Sequence, residues 1–541
     1  MNYVRKHDKT FRRFAASVAA VVVLTLAGAA IPAQAQTFTV LATFTGEPSV
    51  GFDEFFALGR DGNFYASSYY GGANNLGGFF KITPSGTVTT VYSLTAADGG
   101  SCYASMLLGS DGNFYGGCQA GESGNGFLFK LTPSGTFTLL HEFSGTDGTS
   151  PYIRFQGTNG NYYGCTGSGG ANGYGTVFEV TPAGTLTTIY SFDLDDTQCS
   201  GLIQAKNGNF YGVTTNGGPQ VAFELTGAGV FTVLHTFTGS TTDAGYPYGL
   251  VQGIDGNFYG VSESGGTYEE GTVYKMTPAG TVTLLHSFNQ TTDFGENPST
   301  PLLQATDGNF YSTVVGCTES GCPSDGNIFK ITPSGTYTTL EAFTGPNGAY
   351  PTAGLILDPS GTFYGMTDEG GNGNGVFYSL NTGLGALASL VTTSGKEGAK
   401  IGILGQGFSS SSVVKFDGIE AIAVTRTGST FLLATVPAAA LTGSVTVTTG
   451  STVLTSLQSF SVTPTSPSFS PSSGPVGTLV TINGTGLMQT TNVTFNGKSA
   501  SFTVVSDIEV TATVPTSATT GKIKVTTKGG SVTSSTNFTV N

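Results

Sequence analysis

The sequence is poor in charge and has no tryptophan. Asp, Glu, Lys and Arg make up 10% of the 541 residues, against about 25% in an average globular protein. A disordered chain is excluded, because disorder combines high charge with few aromatic residues, whereas this chain has 23 Tyr and 38 Phe. Only four histidines are present, and the motifs of zinc hydrolases, serine hydrolases, P-loop enzymes and dinucleotide-binding enzymes are all missing.

Glycine, in contrast, is abundant, with 82 residues, about twice the usual share of ~7%. The glycines show no strict three-residue period, which excludes collagen. A chain of this length is also expected to divide into two to four domains.

Residues 1–35 have the pattern of a secretory signal peptide. A basic start precedes an apolar run from Phe14 to Ile31 and the small-residue site Ala33-Gln34-Ala35. Pro32 and this site favour cleavage over an uncleaved anchor, although the apolar run is just long enough to span a bilayer. We therefore expect a mature chain that starts near Gln36, is exported to the cell envelope or outside of a bacterium, and has no membrane span.

Removal of this segment leaves 15 basic and 33 acidic residues, a net charge of −18. Such a surface repels phosphate backbones and anionic lipids. Nucleic acid is therefore not an expected partner. All six cysteines lie in the mature chain, and an even number in an exported protein favours disulfides.

A repeat of about fifty residues dominates the first two thirds of the chain. The string Asp/Asn-Gly-Asn-Phe/Tyr-Tyr recurs six times, and a weaker seventh copy runs from Ser360 to Tyr364. Each copy combines an Asp-Gly hairpin turn, a Pro-x-Gly turn and four short apolar runs, which is typical of one β-propeller blade. A parallel β-helix is the alternative, but its coils are shorter. The six full copies begin at Asp61, Asp111, Asn159, Asn207, Asp255 and Asp307.

These features predict an all-β protein whose residues 37–385 form a seven-bladed β-propeller. Residues Phe38 to Phe44 have the pattern of a fourth strand without a blade ahead of them, whereas the seventh repeat has a poor fourth strand. We therefore predict that the N-terminal strand completes the last blade and removes the open edges of the sheet.

The repeat also resembles a known family. The block Asn-Phe-Tyr-Gly, then Gly-Gly, then Gly-Thr-Val-Phe followed by Thr-Pro-Ser/Ala-Gly-Thr resembles the GloVer tandem repeat of exported bacterial proteins over roughly 350 residues. The resemblance implies export and a repeated β architecture. It implies no biochemical activity.

After residue 385 the repeat motif stops, and Ser, Thr and Val dominate. Two copies of another pattern begin at Gly398 and Gly477, each followed by a Val-Pro pair and an alternating Val/Thr run. They resemble IPT/TIG modules, which implies two immunoglobulin-like β-sandwiches, over residues 386–463 and 464–541. Such modules serve as spacers and interaction domains in extracellular proteins.

Because the four strands of a blade are antiparallel, connections one-to-two and three-to-four lie on one face of a propeller. Connections two-to-three and blade-to-blade lie on the other face. The Asp-Gly and Pro-x-Gly turns share one face, so Asp61, Asp111, Asp255 and Asp307 are interpreted as turn residues that bond their own backbone. The opposite face carries the irregular loops, where binding residues usually lie. The candidate binding residues on that face are Asp98, Asp147, Asp243, Asp293, Tyr103, Tyr152, Tyr246, Tyr350, Glu263 and Asp368.

Acids beside tyrosines are able to bind sugars by hydrogen bonding and stacking, or a Ca²⁺ ion through oxygen ligands. The plain alternative is that they are solvated loop residues. His141, His235 and His286 share one position in the fourth strand, Leu-His-x-Phe, and are interpreted as packing residues rather than catalytic bases. No cofactor other than possible Ca²⁺ is expected.

The cysteines also fall on the loop face. Pairing in sequence order is the simplest of fifteen connectivities, and it joins Cys102 to Cys118, Cys165 to Cys199 and Cys317 to Cys322. A metal site is not expected, because no histidine accompanies these cysteines.

The leading functional hypothesis is a secreted or cell-surface binding and scaffold protein without catalytic activity. Its expected ligand is a polysaccharide or another surface protein, held by the loop face. The alternative is a polysaccharide lyase or glycoside hydrolase that uses carboxylates of the same face.

Overall fold

The computed structural model describes residues 36–44, 56–98, 102–120, 124–193, 199–215, 218–293, 295–316, 325–371 and 373–541, except for the side chains of residues 102–104 and 120. The predicted signal peptide, Cys317 and Cys322 lie outside these residues. No helix of the described part has the length and hydrophobicity that a membrane crossing requires.

The described residues between 37 and 381 form seven four-stranded antiparallel sheets, numbered here along the chain. Sheet 1 contains Ala57–Leu58, Phe64–Ser68, Gly78–Ile82 and Val88–Ser93. Sheet 2 contains Cys102–Leu108, Phe114–Ala120, Phe127–Leu131 and Phe137–Glu142. Sheet 3 contains Thr149–Gln156, Tyr162–Ser168, Thr176–Val180 and Leu186–Ser191.

The other four sheets repeat this order. Sheet 4 contains Cys199–Gln204, Phe210–Thr214, Gln220–Leu225 and Phe231–Phe237. Sheet 5 contains Ala244–Gln252, Phe258–Gly265, Thr272–Met276 and Val282–Ser287. Sheet 6 contains Leu303–Gln304, Phe310–Val315, Gly326–Ile331 and Tyr337–Ala342. Sheet 7 contains Ile356–Leu357, Thr362–Met366, Val376–Asn381 and the N-terminal strand Thr37–Thr43.

The N-terminal strand pairs antiparallel with the strand Val376–Asn381, so that Thr37 lies opposite Asn381 and Thr43 opposite Val376. This confirms the prediction that the N-terminal strand completes the last sheet. Sheet 7 also packs on sheet 1, because Phe64 and Ala66 share a buried cluster with Met366 and Phe377. The sheets therefore form a closed, propeller-like ring.

Pairs of aromatic rings in contact, two of them stacked and five tilted, join each sheet to the next. In the Phe/Tyr-Tyr pair of the repeat, the second ring of one sheet lies against the first ring of the following sheet. Sheet 7 meets sheet 1 through the same contact, Tyr364 on Phe64 at 4.5 Å between centroids. The other six pairs, at 4.0–4.9 Å, are Tyr65–Phe114, Tyr115–Tyr162, Tyr163–Phe210, Tyr211–Phe258, Tyr259–Phe310 and Tyr311–Phe363.

In five of the seven sheets a glycine follows the aromatic pair and makes room for another ring, whereas sheets 1 and 6 have Ala66 and Ser312 there. A Cβ added to Gly164 would lie 2.8 Å from Cζ of Phe178 on the third strand, so a side chain at Gly164 would displace this ring. The third strands of five sheets have Phe at this position, whereas sheets 5 and 7 have Tyr274 and Tyr378.

The recurrent turn acids bond as predicted. Asp255 accepts a hydrogen bond from the Asn257 amide at 3.1 Å and one from the Tyr259 hydroxyl at 2.9 Å, and Lys275 pairs with it at 3.0 Å. Asp61, Asp111 and Asp307 make the same turn and tyrosine bonds.

In sheets 3 and 4 the charges are exchanged. Asn159 replaces the turn acid, Glu179 replaces the lysine, and the Tyr163 hydroxyl now donates to Glu179 at 2.9 Å. Sheet 4 has the same arrangement, with Tyr211 donating to Glu224 at 2.7 Å. A carboxylate thus accepts the tyrosine hydroxyl in both versions of the repeat.

Residues 386–463, the first module, form two four-stranded sheets and a parallel pair, Ser394–Gly395 with Ser461–Val462. In one sheet the neighbouring strands are, in order, Ser389–Leu390, Lys400–Leu404, Phe431–Thr435 and Val424–Thr427. In the other sheet they are Ile419–Glu420, Val413–Phe416, Val445–Thr449 and Thr452–Thr455.

Residues 464–541, the second module, repeat this arrangement around their own apolar core. In one sheet the neighbouring strands are, in order, Ser468–Ser470, Leu479–Asn483, Glu509–Thr513 and Phe502–Ser506. In the other sheet they are Ser473–Gly474, Gly530–Val540, Gly521–Thr527, Thr490–Phe495 and Lys498–Ser499.

The first module packs on the tight-turn face of the ring. The guanidinium of Arg60, in the first turn of sheet 1, lies 4.1 Å from the ring centre of Phe431 and donates to the Ser110 carbonyl at 2.6 Å. The hydroxyl of Thr430 donates to the Arg60 carbonyl at 2.7 Å. Leu404 and Phe431 also join the buried cluster of sheets 1 and 2.

The third-strand tyrosines Tyr274 and Tyr378 are expected to lower the stability of the fold through their hydroxyl groups. The hydroxyls of Tyr274 and Tyr378 are buried and make no hydrogen bond within the described structure. Because a buried unpaired hydroxyl is unfavourable, Tyr274→Phe should raise the free energy of unfolding by about 1 kcal/mol. Tyr259→Phe is the matched control, since its hydroxyl bonds Asp255, and should lower it by about 1.5 kcal/mol. Urea denaturation measures both, and a destabilised Tyr274→Phe would contradict the argument.

Candidate binding face

The loop face is formed by the connections between second and third strands and by those between successive sheets. The first strands lie innermost: a Cβ added to Gly201 of sheet 4 would lie 3.0 Å from Cα of Gly249 of sheet 5. The fourth strands of sheets 1 to 3 contain only exposed and half-buried residues, as outer strands do. The loop face therefore surrounds the mouth of the ring.

The four predicted aspartates of the sheet-to-sheet connections hold their own loops. Asp147 accepts hydrogen bonds from the amide and hydroxyl of Ser144, at 2.9 and 3.0 Å, and lies 2.8 Å from Nε2 of His141. Burial opposes ionisation of Asp147, but these bonds outweigh it and hold its pKa below the usual value. Asp98, Asp243 and Asp293 bond the corresponding loop amides.

The histidines pair with these aspartates. His235 lies 3.2 Å from Asp243 and His286 lies 2.8 Å from Asp293, and Tyr92 takes the same place beside Asp98 at 2.9 Å. Each histidine ring also packs edge-on against the phenylalanine two residues later, as His141 does on Phe143 at 4.9 Å. The predicted packing position is confirmed, and the pairing with aspartate adds to it.

Four residues on this face, within or ahead of the inner strands, have a strained backbone. Ser150, Tyr246, Asn297 and Tyr350 each precede a proline and have φ between 51° and 54°, a conformation that side chains rarely adopt. The amide of each residue is bonded by the preceding sheet, as Tyr246 is by the Gln220 side chain at 2.6 Å. The corresponding acceptors for the other three are the carbonyls of Asn125, Glu270 and Asp325.

The predicted tyrosines occupy different environments. Tyr246 is 46% exposed, whereas Tyr152 bonds the Gln119 side chain and lies 5.0 Å below the Arg154 guanidinium. Tyr350 is half-buried, and the side chain of Tyr103 lies outside the description. Tyr70 and Tyr268, also on this face, are 48% and 53% exposed.

Glu263 and Asp368 occupy the same position of the repeat, but they lie in sheet 5 and in the connection after sheet 7's second strand, respectively. Burial raises the pKa of Asp368 to about 6, and the charge of Glu369 acts in the same direction. The Thr352 hydroxyl opposes this rise without cancelling it, and Oδ1 of Asp368 is buried without a hydrogen bond to any described residue. Asp368 is thus the most perturbed of the candidate acids on this face.

The described residues include no group of three or more His, Cys, Asp or Glu side chains that would hold a metal ion. Cys165 and Cys199 form a disulfide between the second strand of sheet 3 and the first strand of sheet 4, which confirms that pairing. Cys118 is also disulfide-bonded. The side chain of Cys102 lies outside the description.

Asp368→Asn should remove a pH dependence of stability. The carboxyl has a folded-state pKa of about 6 against 3.8, so folding binds a proton and stability falls as the pH rises from about 4 to 6. At pH 7 the variant should be more stable than the parent chain by up to about 3 kcal/mol, and the two should converge below pH 4.

Urea denaturation from pH 4 to 8 measures this difference. Asp147→Asn is the control of opposite sign, because the pKa of Asp147 is lowered and its stabilisation is present at neutral pH and lost as the pH falls. A gain for Asp368→Asn that is independent of pH would contradict the assignment.

Two known sequence families match this chain. The pattern of the Gloeobacter/Verrucomicrobia repeat matches residues 29–221 and 200–411, and the IPT/TIG domain matches residues 464–540. No curated protein matches the sequence.

Two solved structures illustrate the structural likeness. A fungal alcohol oxidase of the AA5 family, in complex with copper, is 14% identical, with 78% of this chain and 99% of that chain covered and a TM-score of 0.42. A gluconolactonase from Xanthomonas campestris is 13% identical, with 52% and 86% covered and a TM-score of 0.34. TM-scores this low carry no argument about activity or substrate.

The two matches of the repeat pattern together span more than half of the chain. The protein therefore belongs to the Gloeobacter/Verrucomicrobia repeat family, with an IPT/TIG domain over residues 464–540.

Proposed function

We propose that the protein is exported and binds a polysaccharide through its loop face. In this proposal the seven sheets are the blades of one propeller over residues 37–385. The modules 386–463 and 464–541 are two immunoglobulin-like sandwiches of the same kind. The shared order of the main strands in the two modules supports the assignment of two sandwiches, and the disulfide supports export.

One observation carries the choice of ligand. Among the described residues, the three tyrosines that are more than a third exposed, Tyr70, Tyr246 and Tyr268, all lie on the loop face. An exposed tyrosine combines an apolar ring face with a hydroxyl, which suits stacking on a sugar ring and hydrogen bonding to it. The hydrogen bond from the Tyr246 amide to the Gln220 side chain limits the backbone freedom of Tyr246. Less conformational entropy is therefore lost when a ligand binds.

The acids of this face have a supporting role in the proposal. Asp98, Asp147, Asp243 and Asp293 fix the loops that present the tyrosines, rather than contacting a ligand first. Tyr152 and Tyr350 line the same mouth from the inner strands. Glu263 and Asp368 remain the candidates for hydrogen bonds to ligand hydroxyl groups. Another surface protein is the competing ligand class.

A glycan array probed with the labelled mature chain tests the proposal. We expect retention of at least one polysaccharide, and the double variant Tyr246→Ala/Tyr268→Ala should weaken binding about tenfold or more. Leu139→Ala, an exposed apolar residue of an outer strand, should leave binding unchanged. An array without any retained glycan, with capture of an envelope protein instead, would replace polysaccharide by protein as the ligand.

A second candidate function rests on Asp368. A carboxyl with a pKa near 6 suits a general acid, and a glycosidase combines such a group with a second carboxylate. If the protein cleaves a polysaccharide, Asp368→Asn should abolish the release of reducing sugar, whereas Asp147→Asn should reduce it only through stability. Absence of release from a polysaccharide panel by the parent chain would exclude this candidate.

A further inference from the structure

A cavity of about 290 Å³ lies at the tight-turn end of the ring. Inner-strand residues of four consecutive sheets line it, and so do three residues of the first module. Its wall is apolar apart from Ser105 and Arg154. Representative lining residues are Ile356, Ala57, Met106 and Ile153 from the ring and Leu390, Val391 and Leu404 from the module.

The two ends of the cavity differ in chemistry. The module closes the tight-turn end with aliphatic side chains, and the contacts of Arg60 with Phe431 and Thr430 hold it there. Toward the loop face the guanidinium of Arg154 donates to the Ser200 carbonyl at 3.3 Å and lies above the Tyr152 ring. A positive charge therefore lies on the loop-face side of an apolar chamber.

Water is a poor occupant of the apolar end, because a water molecule needs two to four polar partners. The volume lies near the lower end of small-molecule pockets, about 300 Å³. An apolar chain would bury its methylene groups against the module, and a carboxylate would meet the guanidinium, its preferred partner.

We propose that this cavity binds the carboxylate and acyl chain of a medium-chain fatty acid. The carboxylate lies beside Arg154, and the chain extends along Met106 toward Val391 and Leu404. The site does not include the exposed tyrosines Tyr70, Tyr246 and Tyr268 of the loop face and does not depend on a glycan. The first module has a role in it, because it supplies the closed end of the pocket.

Calorimetric titration of the mature chain with hexanoate, octanoate, decanoate and dodecanoate tests the proposal. Each added methylene should tighten binding about fourfold until the chain fills the cavity, after which the affinity should level off. Decanol, which lacks the charge, should bind at least tenfold more weakly than decanoate. A series without saturable binding at submicellar concentrations would overturn the proposal.

Variants and a methyl signal locate the site. Val391→Trp fills the closed end and should abolish decanoate binding, whereas Leu139→Trp, on an outer strand, should not. Arg154→Gln should reduce the preference for decanoate over decanol to below about threefold. With ¹³C-methyl methionine, decanoate should shift the signal of Met106 and leave that of the exposed Met488 unchanged.

The methyl signals remain informative if Val391→Trp does not fold, because they are measured on the parent chain. Binding that shifts Met488 but not Met106, or that persists in a folded Val391→Trp, would place the fatty acid elsewhere and refute the site.

Discussion

The whole ring depends on one repeated contact, the stacking of an aromatic ring of one sheet on an aromatic ring of the next. Seven such pairs run around the molecule, from Tyr65 on Phe114 to Tyr364 on Phe64. Offset and tilted aromatic pairs add about 0.5–1.5 kcal/mol each beyond the burial of their area. Because each sheet offers one ring forward and one ring backward, the contact sets the order of the sheets and the sense in which they follow one another. In sheets 1 to 6 a carboxylate accepts the hydroxyl of the tyrosine that packs on the next sheet, either the turn acid or Glu179 and Glu224.

Much of the fold could be predicted from sequence because the repeat displays it many times. Six copies of one turn and one aromatic pair show the strand order, and the surplus strand at the N-terminus leaves one place for it, opposite Asn381. The turn acids were predictable because their bonds reach only two to four residues along the chain. Local chemistry of this kind is visible in a sequence.

Contacts between distant residues were not predictable in the same way. Nothing in the sequence connects Arg60 to Thr430, 370 residues away, so the docking of the first module was missed. His141 and Asp147 pair although they are only six residues apart. The sequence does not show this pairing, because Asp147 reads there as one acid in a variable loop. For that reason the sequence alone does not separate these aspartates from the tyrosines as candidate binding residues. Sheets 3 and 4 replace the turn Asp by Asn and the third-strand Lys by Glu. The two changes are recognised as compensating only in the structure, where the third strand lies beside the turn.

The pairing of the first strand with the last has a consequence for the time at which the protein can fold. Thr37 and Asn381 must meet across the entire repeat region, and loop closure costs entropy before the pairing of these strands offsets it. A chain still emerging from a ribosome, with its last repeat unmade, has an unfinished seventh sheet and an open ring. The ring is therefore completed only after the chain has been made through Asn381, and until then the seventh sheet lacks the partner of its N-terminal strand.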